Sequence, residues 1–145
     1  MFFDVSNVGK RETVDEARAA ELLAPLLESA ESVRGFRLSN KSYTRASAAV
    51  VAAGLASVAA AGRFSALTEV DIADVIAGRP EDEALEVLRT LCAPLKTFKS
   101  LTSIDVSDNA FGAKGESRRC CACCPLLLRC CCLNLGQGRT QKHGE

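Results

Sequence analysis

Apolar and polar positions alternate over short stretches at three places in the chain. Phe36 and Leu38 flank Arg37, Val70 and Ile72 flank Asp71, and Ile104 and Val106 flank Asp105. Such alternation predicts half-buried strands. The three stretches lie 34 residues apart, and the apolar residues Val33, Leu67 and Leu101 ahead of them keep that interval. The third copy, Leu101-x-x-Ile104-x-Val106-x-x-Asn109-x-Phe111, follows the leucine-rich-repeat pattern. A unit this long has room for a strand, a loop and a full helix. The predicted fold is therefore an α/β leucine-rich-repeat solenoid: a short horseshoe with parallel strands on its concave face and helices on its convex face.

The segments between the strands complete the division. Residues 1–32 read as an N-terminal capping segment, residues 33–116 as about three repeats with the last incomplete, and residues 117–145 as a Cys-rich, disordered or non-native tail. Thr13 and Glu16 are spaced as a capping box. The helix they would open carries Val14, Ala17, Ala20, Leu23 and Leu27 on one face, and Pro25 should bend or shorten it. In the first repeat, Asn40–Tyr43 reads as a loop and 44–61 as an Ala-rich helix, with Gly62 as its stop. In the second, Pro80 suits the first helical position. Glu81, Asp82 and Glu83 then favour the positive end of the helix dipole. Ala84, Leu88, Leu91, Cys92 and Leu95 make an apolar face, with Lys96 and Lys99 near the helix end. The third repeat starts as the others do and then changes composition abruptly.

Bulk properties narrow the function classes. The 145 residues include 18 Lys plus Arg and 18 Asp plus Glu, so no global charge favours nucleic acid or a membrane surface. No apolar run approaches the ~18 residues of a membrane span. The start, Met1-Phe2-Phe3-Asp4, lacks the layout of a secretory signal, so a cytosolic or nuclear location is expected. Seven of the eight cysteines fall between Cys120 and Cys132, whereas a disulfide framework spreads its cysteines along the chain. Cys120-x-x-Cys123 and Cys121-x-x-Cys124 have nominal zinc spacing, but the contiguous Cys130–Cys132 suits one tetrahedral site poorly. Acylation beside Leu126–Leu128 is the other sharp option. Neither is assigned, and no metal or cofactor is expected. His143 is the only histidine and has no partner constellation, which argues against a Ser-His-Asp site.

Six further runs stand out: Phe3-Asp4-Val5-Ser6, Ala20-Glu21-Leu22-Leu23-Ala24-Pro25-Leu26, Leu38-Ser39-Asn40-Lys41-Ser42, Leu67-Thr68-Glu69-Val70-Asp71, Ala77-Gly78-Arg79-Pro80-Glu81 and Ser107-Asp108-Asn109-Ala110-Phe111-Gly112-Ala113-Lys114-Gly115. Together they resemble the Ran GTPase-activating proteins, particularly their plant and green-algal branch. The resemblance implies a horseshoe that binds the small GTPase Ran in its GTP-bound form and accelerates GTP hydrolysis in nucleocytoplasmic transport. Such a protein is a GTPase activator without a cofactor of its own, cytoplasmic, with the nuclear envelope as a second location. The loop arginine of the family, matching Arg79, is implied to hold the interface rather than act as an arginine finger. The family's catalytic asparagine belongs to a repeat beyond Asn109, so no catalytic residue is expected here. The family has more repeats, an acidic tail and a plant targeting segment, so the chain is expected to be a truncated form, with activity itself in question. A non-catalytic leucine-rich-repeat binding module is the alternative.

The residues expected to contact the partner are Asn40, Lys41, Asp71, Asp74, Arg79, Asp108 and Asn109. Arg37, Asp71 and Asp105 share one column at the 34-residue interval, on the face a solenoid offers to partners. Asp71 and Asp105 would stack there as like charges, which suits a basic partner surface. Each site has a plainer reading as well. Arg79 could be a solvated arginine or a cap partner to the acidic residues after it, and Asn109 could bond backbone groups in its turn.

Overall fold

A computed structural model describes residues 1–7 and 9–109. In chain order its strands and helices are β1 (Phe2–Asp4), β2 (Glu12–Val14), α1 (Glu16–Glu28), β3 (Gly35–Arg37), β4 (Lys41–Tyr43), α2 (Arg45–Ala60), β5 (Glu69–Asp71), α3 (Glu81–Cys92) and β6 (Ser103–Asp105). Short 3-10 turns at Ala30–Ser32 and Pro94–Thr97 follow α1 and α3.

The strands are parallel and ordered β1-β3-β5-β6 in one sheet. Phe36 lies opposite Val70 and Val70 opposite Ile104, so the 34-residue interval is also the register of the sheet. Phe36, Val70 and Ile104 are fully buried, as are Val33 and Leu67. Arg37, Asp71 and Asp105 lie on the opposite face and are half-buried, as alternation along a strand requires. A second pair, β2 with β4, runs parallel just beyond the first sheet. The segment 41–43 was expected as loop. It is strand because Lys41 and Tyr43 also donate their N–H groups to Asp74 O and Val75 O of the next unit.

Helix α2 packs between α1 and α3. Its Ala-rich sequence permits a very close approach to α1. A Cβ built on Gly54 would lie 2.4 Å from Leu23 Cδ2. Thr44 and Ser47 cap its start reciprocally, with Ser47 N–H on Thr44 Oγ1 at 3.1 Å and Thr44 N–H on Ser47 Oγ at 2.8 Å. Gly62 stops it: its φ of 69° lets Gly62 N–H and Arg63 N–H reach back to Ala59 O and Val58 O. An aromatic column joins neighbouring units, with Phe64 edge-on to Phe98 at 5.2 Å and 6.1 Å from Phe36.

Further local expectations change. The cap of α1 is Asp15, whose carboxylate accepts Arg18 N–H at 2.8 Å. Thr13 is not the cap because β2, paired with β4, runs on through Val14 and the helix starts only at Glu16. With the helix starting at Glu16, its buried face is Ala19, Leu23 and Leu26, while Ala17 and Ala20 are exposed. Pro25 lies inside α1, which continues to Glu28, where Ser29 N–H and Oγ both bond Pro25 O. Pro80 sits one position before α3 and supplies its carbonyl to Ala84 N–H.

Candidate functional site

Beyond the strand ends the chain turns at Asn40, Asp74 and Asp108, which all have left-handed backbone, with φ of 58°, 50° and 57°. Asn and Asp tolerate that conformation because a short polar side chain can bond locally. These three positions, 34 residues apart, are therefore a repeated turn. Asn40 Nδ2 donates to Asn7 O. Asp74 is clamped by Arg11, whose guanidinium reaches both carboxylate oxygens at 2.8 Å. Asp108 is exposed.

One residue further on, the side chains point inward. Lys41 is 1% exposed, with Nζ donating to Glu12 Oε2 at 2.7 Å and to Asn7 Oδ1. Glu12 also accepts from Arg18 at 2.6 Å. The Lys41 hydrogen bond, with Arg18 behind it, holds the Glu12 carboxyl below its ordinary value. Tyr43 beside them donates its hydroxyl to Leu38 O at 3.3 Å. Burial, and secondarily the Glu12 charge, pushes its phenol up. Asn109 is buried as well. Its Oδ1 accepts Val75 N–H at 2.9 Å, and its Nδ2 donates to Ile72 O at 3.0 Å and Val106 O at 2.9 Å. Lys41 and Asn109, both expected to meet a partner, are thus engaged by the chain itself.

Across the open face of the sheet runs the row Asp4, Arg37, Asp71 and Asp105. Arg37 bridges its two neighbours in the row, at 3.3 Å from Asp4 and 2.8 Å from Asp71, with its guanidinium over the Phe2 ring at 5.5 Å. Each aspartate accepts a backbone N–H two residues on: Ser6 to Asp4, Ala73 to Asp71 and Ser107 to Asp105. Asp71 and Asp105 do stand opposite each other, but Arg37 compensates Asp71. Glu69 and Asp105 add negative charge on the β5–β6 side of this face.

Arg79 projects from the turn between β5 and α3. Gly78, with φ of 75°, and the bond from Arg79 N–H to Ile76 O at 3.2 Å set its backbone. Its Nε donates to Ser42 Oγ at 3.0 Å, and Ser42 Oγ donates to Ala77 O at 2.8 Å. Glu83 stands 3.8 Å from a terminal nitrogen, so part of the plainer cap reading holds too. The Arg79 side chain remains 21% exposed. The structure thus brings Asn40, Asp74 and Asp108 into one line of turns and joins Arg79 to the first of them through Ser42. Asp71 lies apart, on the sheet face. Phe111, the cysteine cluster and His143 lie outside the described residues.

Sequence reading gave Ser42, Arg11 and Glu12 no role of their own. Ser42 and Arg79 are 37 residues apart, and Arg11 and Asp74 are 63 apart. Neither separation is the repeat interval, so periodicity carries no trace of these pairs. Among the described residues no cluster of three metal-ligating side chains occurs, and no helix is long and apolar enough to cross a membrane.

No protein-family model matches the chain. It is 41% identical over 115 residues to Ran GTPase-activating protein 1 of Arabidopsis thaliana, and 41% identical over 114 residues to Ran GTPase-activating protein 2 of the same plant. Each match covers 79% of this chain and 20% of the relative, so the chain spans about one fifth of their length. Over 79% of its own length, the chain is thus similar to two Ran GTPase-activating proteins of Arabidopsis thaliana.

Proposed function

We propose that the chain forms the opening units of a leucine-rich-repeat horseshoe that acts on Ran as a GTPase activator, with the nucleotide held by Ran. The turns at Asn40, Asp74 and Asp108 and the arginine at 79 form the edge offered to the GTPase, and the acidic sheet face beside them suits a basic patch on it. The observation that carries the reading is Arg79 itself. It is a partly exposed arginine whose Nε is already bonded to Ser42, and the resemblance implies that it matches the family's loop arginine. Prior ordering of that side chain lowers the entropic cost of docking. Its attachment to its own chain also suits an interface contact better than a finger reaching into a nucleotide site.

Single-turnover GTP hydrolysis on Ran, with wild-type chain and Arg79→Ala, tests the proposal. Wild type should accelerate hydrolysis. Arg79→Ala should lose roughly thirty-fold in affinity, the scale of a buried arginine hot spot of about 2 kcal/mol. The absence of both binding and acceleration with wild type at high concentration refutes it. A second reading is a module that binds Ran without accelerating hydrolysis: the amide of Asn109 is spent on three backbone bonds, so it cannot stand in for the catalytic asparagine that the resemblance assigns to a later repeat. Titration showing saturable binding with an unchanged hydrolysis rate selects that reading.

A further inference from the structure

We infer that Ser42 is the positioning residue for Arg79, the device that turns a flexible arginine into a preset contact; the inference rests on Arg79 belonging to the partner edge. The Arg79 side chain carries ~2 kcal/mol of rotamer entropy when free, so holding it in one geometry needs a fixed partner. Ser42 is fixed. It is 5% exposed, lies in β4 paired to Thr13 of β2, and belongs to the unit preceding the one that carries Arg79.

The two roles of its hydroxyl are complementary. Its hydrogen goes to Ala77 O at 2.8 Å, leaving its lone pairs to accept Arg79 Nε–H at 3.0 Å. Ala77 and Arg79 belong to the same turn, so one buried oxygen fastens the turn's backbone and its arginine together. Because Nε is taken, the edge of the guanidinium left for a partner is the end formed by its two terminal nitrogens. Glu83, at 3.8 Å, biases one of them without a close bond. A guanidinium presented end-on captures a carboxylate through two parallel N–H···O bonds. Ser42 therefore also selects the group that Arg79 meets, an acidic side chain on the GTPase.

The test uses the full chain in two arms. In the first, the Arg79 Nε–H resonance is followed by 1H–15N NMR. Wild type should show a distinct, slowly exchanging signal that Ser42→Ala moves to the solvent-exposed position, while the remaining amide spectrum keeps its folded dispersion. In the second, Ran affinity is measured for wild type, Ser42→Ala, Arg79→Lys and Ser42→Ala/Arg79→Lys. Lysine keeps the charge and removes Nε. Ser42→Ala should weaken binding roughly five-fold, the scale of ordering one side chain, and should cost nothing further in the Arg79→Lys background.

An Nε–H signal unchanged by Ser42→Ala overturns the inference. So does full Ran affinity in Ser42→Ala when Arg79→Lys is weak, or an equal loss in both backgrounds. Should Ser42→Ala lose its folded dispersion, Arg79→Lys in the Ser42 chain decides: full Ran affinity there overturns the inference, and a loss supports it. A wild-type chain that does not bind Ran refutes the Ran reading instead, and the NMR arm still decides whether Ser42 holds Arg79.

Discussion

Replacing Asn109 with alanine perturbs the contact that ties two successive turns together. The side chain is 7% exposed and makes three bonds, from Val75 N–H and to the carbonyls of Ile72 and Val106, all between 2.9 and 3.0 Å. A typical bond is worth about 1 kcal/mol net, and a buried N–H left without an acceptor costs about 1–3 kcal/mol, so the loss should be roughly 3 kcal/mol. That is a large share of the ~5–15 kcal/mol that holds a domain together. With a urea slope of about 2 kcal/mol/M, the unfolding midpoint should fall by roughly 1.5 M at unchanged slope. Amide hydrogen exchange gives a local readout, because Val75 N–H should lose protection beyond the global change. A loss below about 0.5 kcal/mol, with Val75 still protected, would show that water or another group satisfies these atoms. The argument for a structural Asn109 would then fail.

Lys41→Met removes a buried cation of similar shape. Because Glu12 keeps Arg18 and is 24% exposed, the cost should be about 1 kcal/mol rather than the ~3–5 kcal/mol of a stranded buried charge; thermal melting decides between the two. Gly54→Ala gains about 1 kcal/mol of helix propensity but places a Cβ 2.4 Å from Leu23 Cδ2. Overpacking of about 1–3 kcal/mol should win, and a rise in melting temperature would show that Leu23 yields freely. Acid should destabilise the chain in a defined window. Arg63 holds the Glu31 carboxyl from 4.5 down to about 2, and Lys41 lowers Glu12 from the same ordinary value. Both contribute stability above 4.5 that disappears as pH falls through their folded values. Melting temperatures should drop between about pH 5 and pH 2, less steeply in Arg63→Ala and Lys41→Met; identical slopes would remove these pairs as the cause.

The amino-acid sequence by itself determined the repeat interval, and with it the parallel register that sets Phe36 beside Val70 and Val70 beside Ile104. It did so because a period-2 apolar pattern can bury only one face of a strand, so equal spacing leaves one consistent pairing. The stop of α2 at Gly62 and the apolar face of α3 were legible for the same local reasons. Asn40, Asp74 and Asp108 also keep the 34-residue interval, and Asn and Asp tolerate the left-handed backbone they share, but sequence reading did not single out that turn. Only the tertiary structure decided which of the expected contact residues remain available. Lys41 and Asn109 turn inward because unpaired backbone groups and the Glu12 carboxylate lie within their reach, and that reach depends on how neighbouring units stack. The cap of α1 moved from Thr13 to Asp15 because a strand partner 29 residues away from Glu12 competed for the same backbone. Arg79 acquired its orientation from a serine in the preceding unit, across a distance along the chain that no local rule encodes. Periodicity prescribes what repeats; the side chains that differ from unit to unit are set by contacts formed after the units meet.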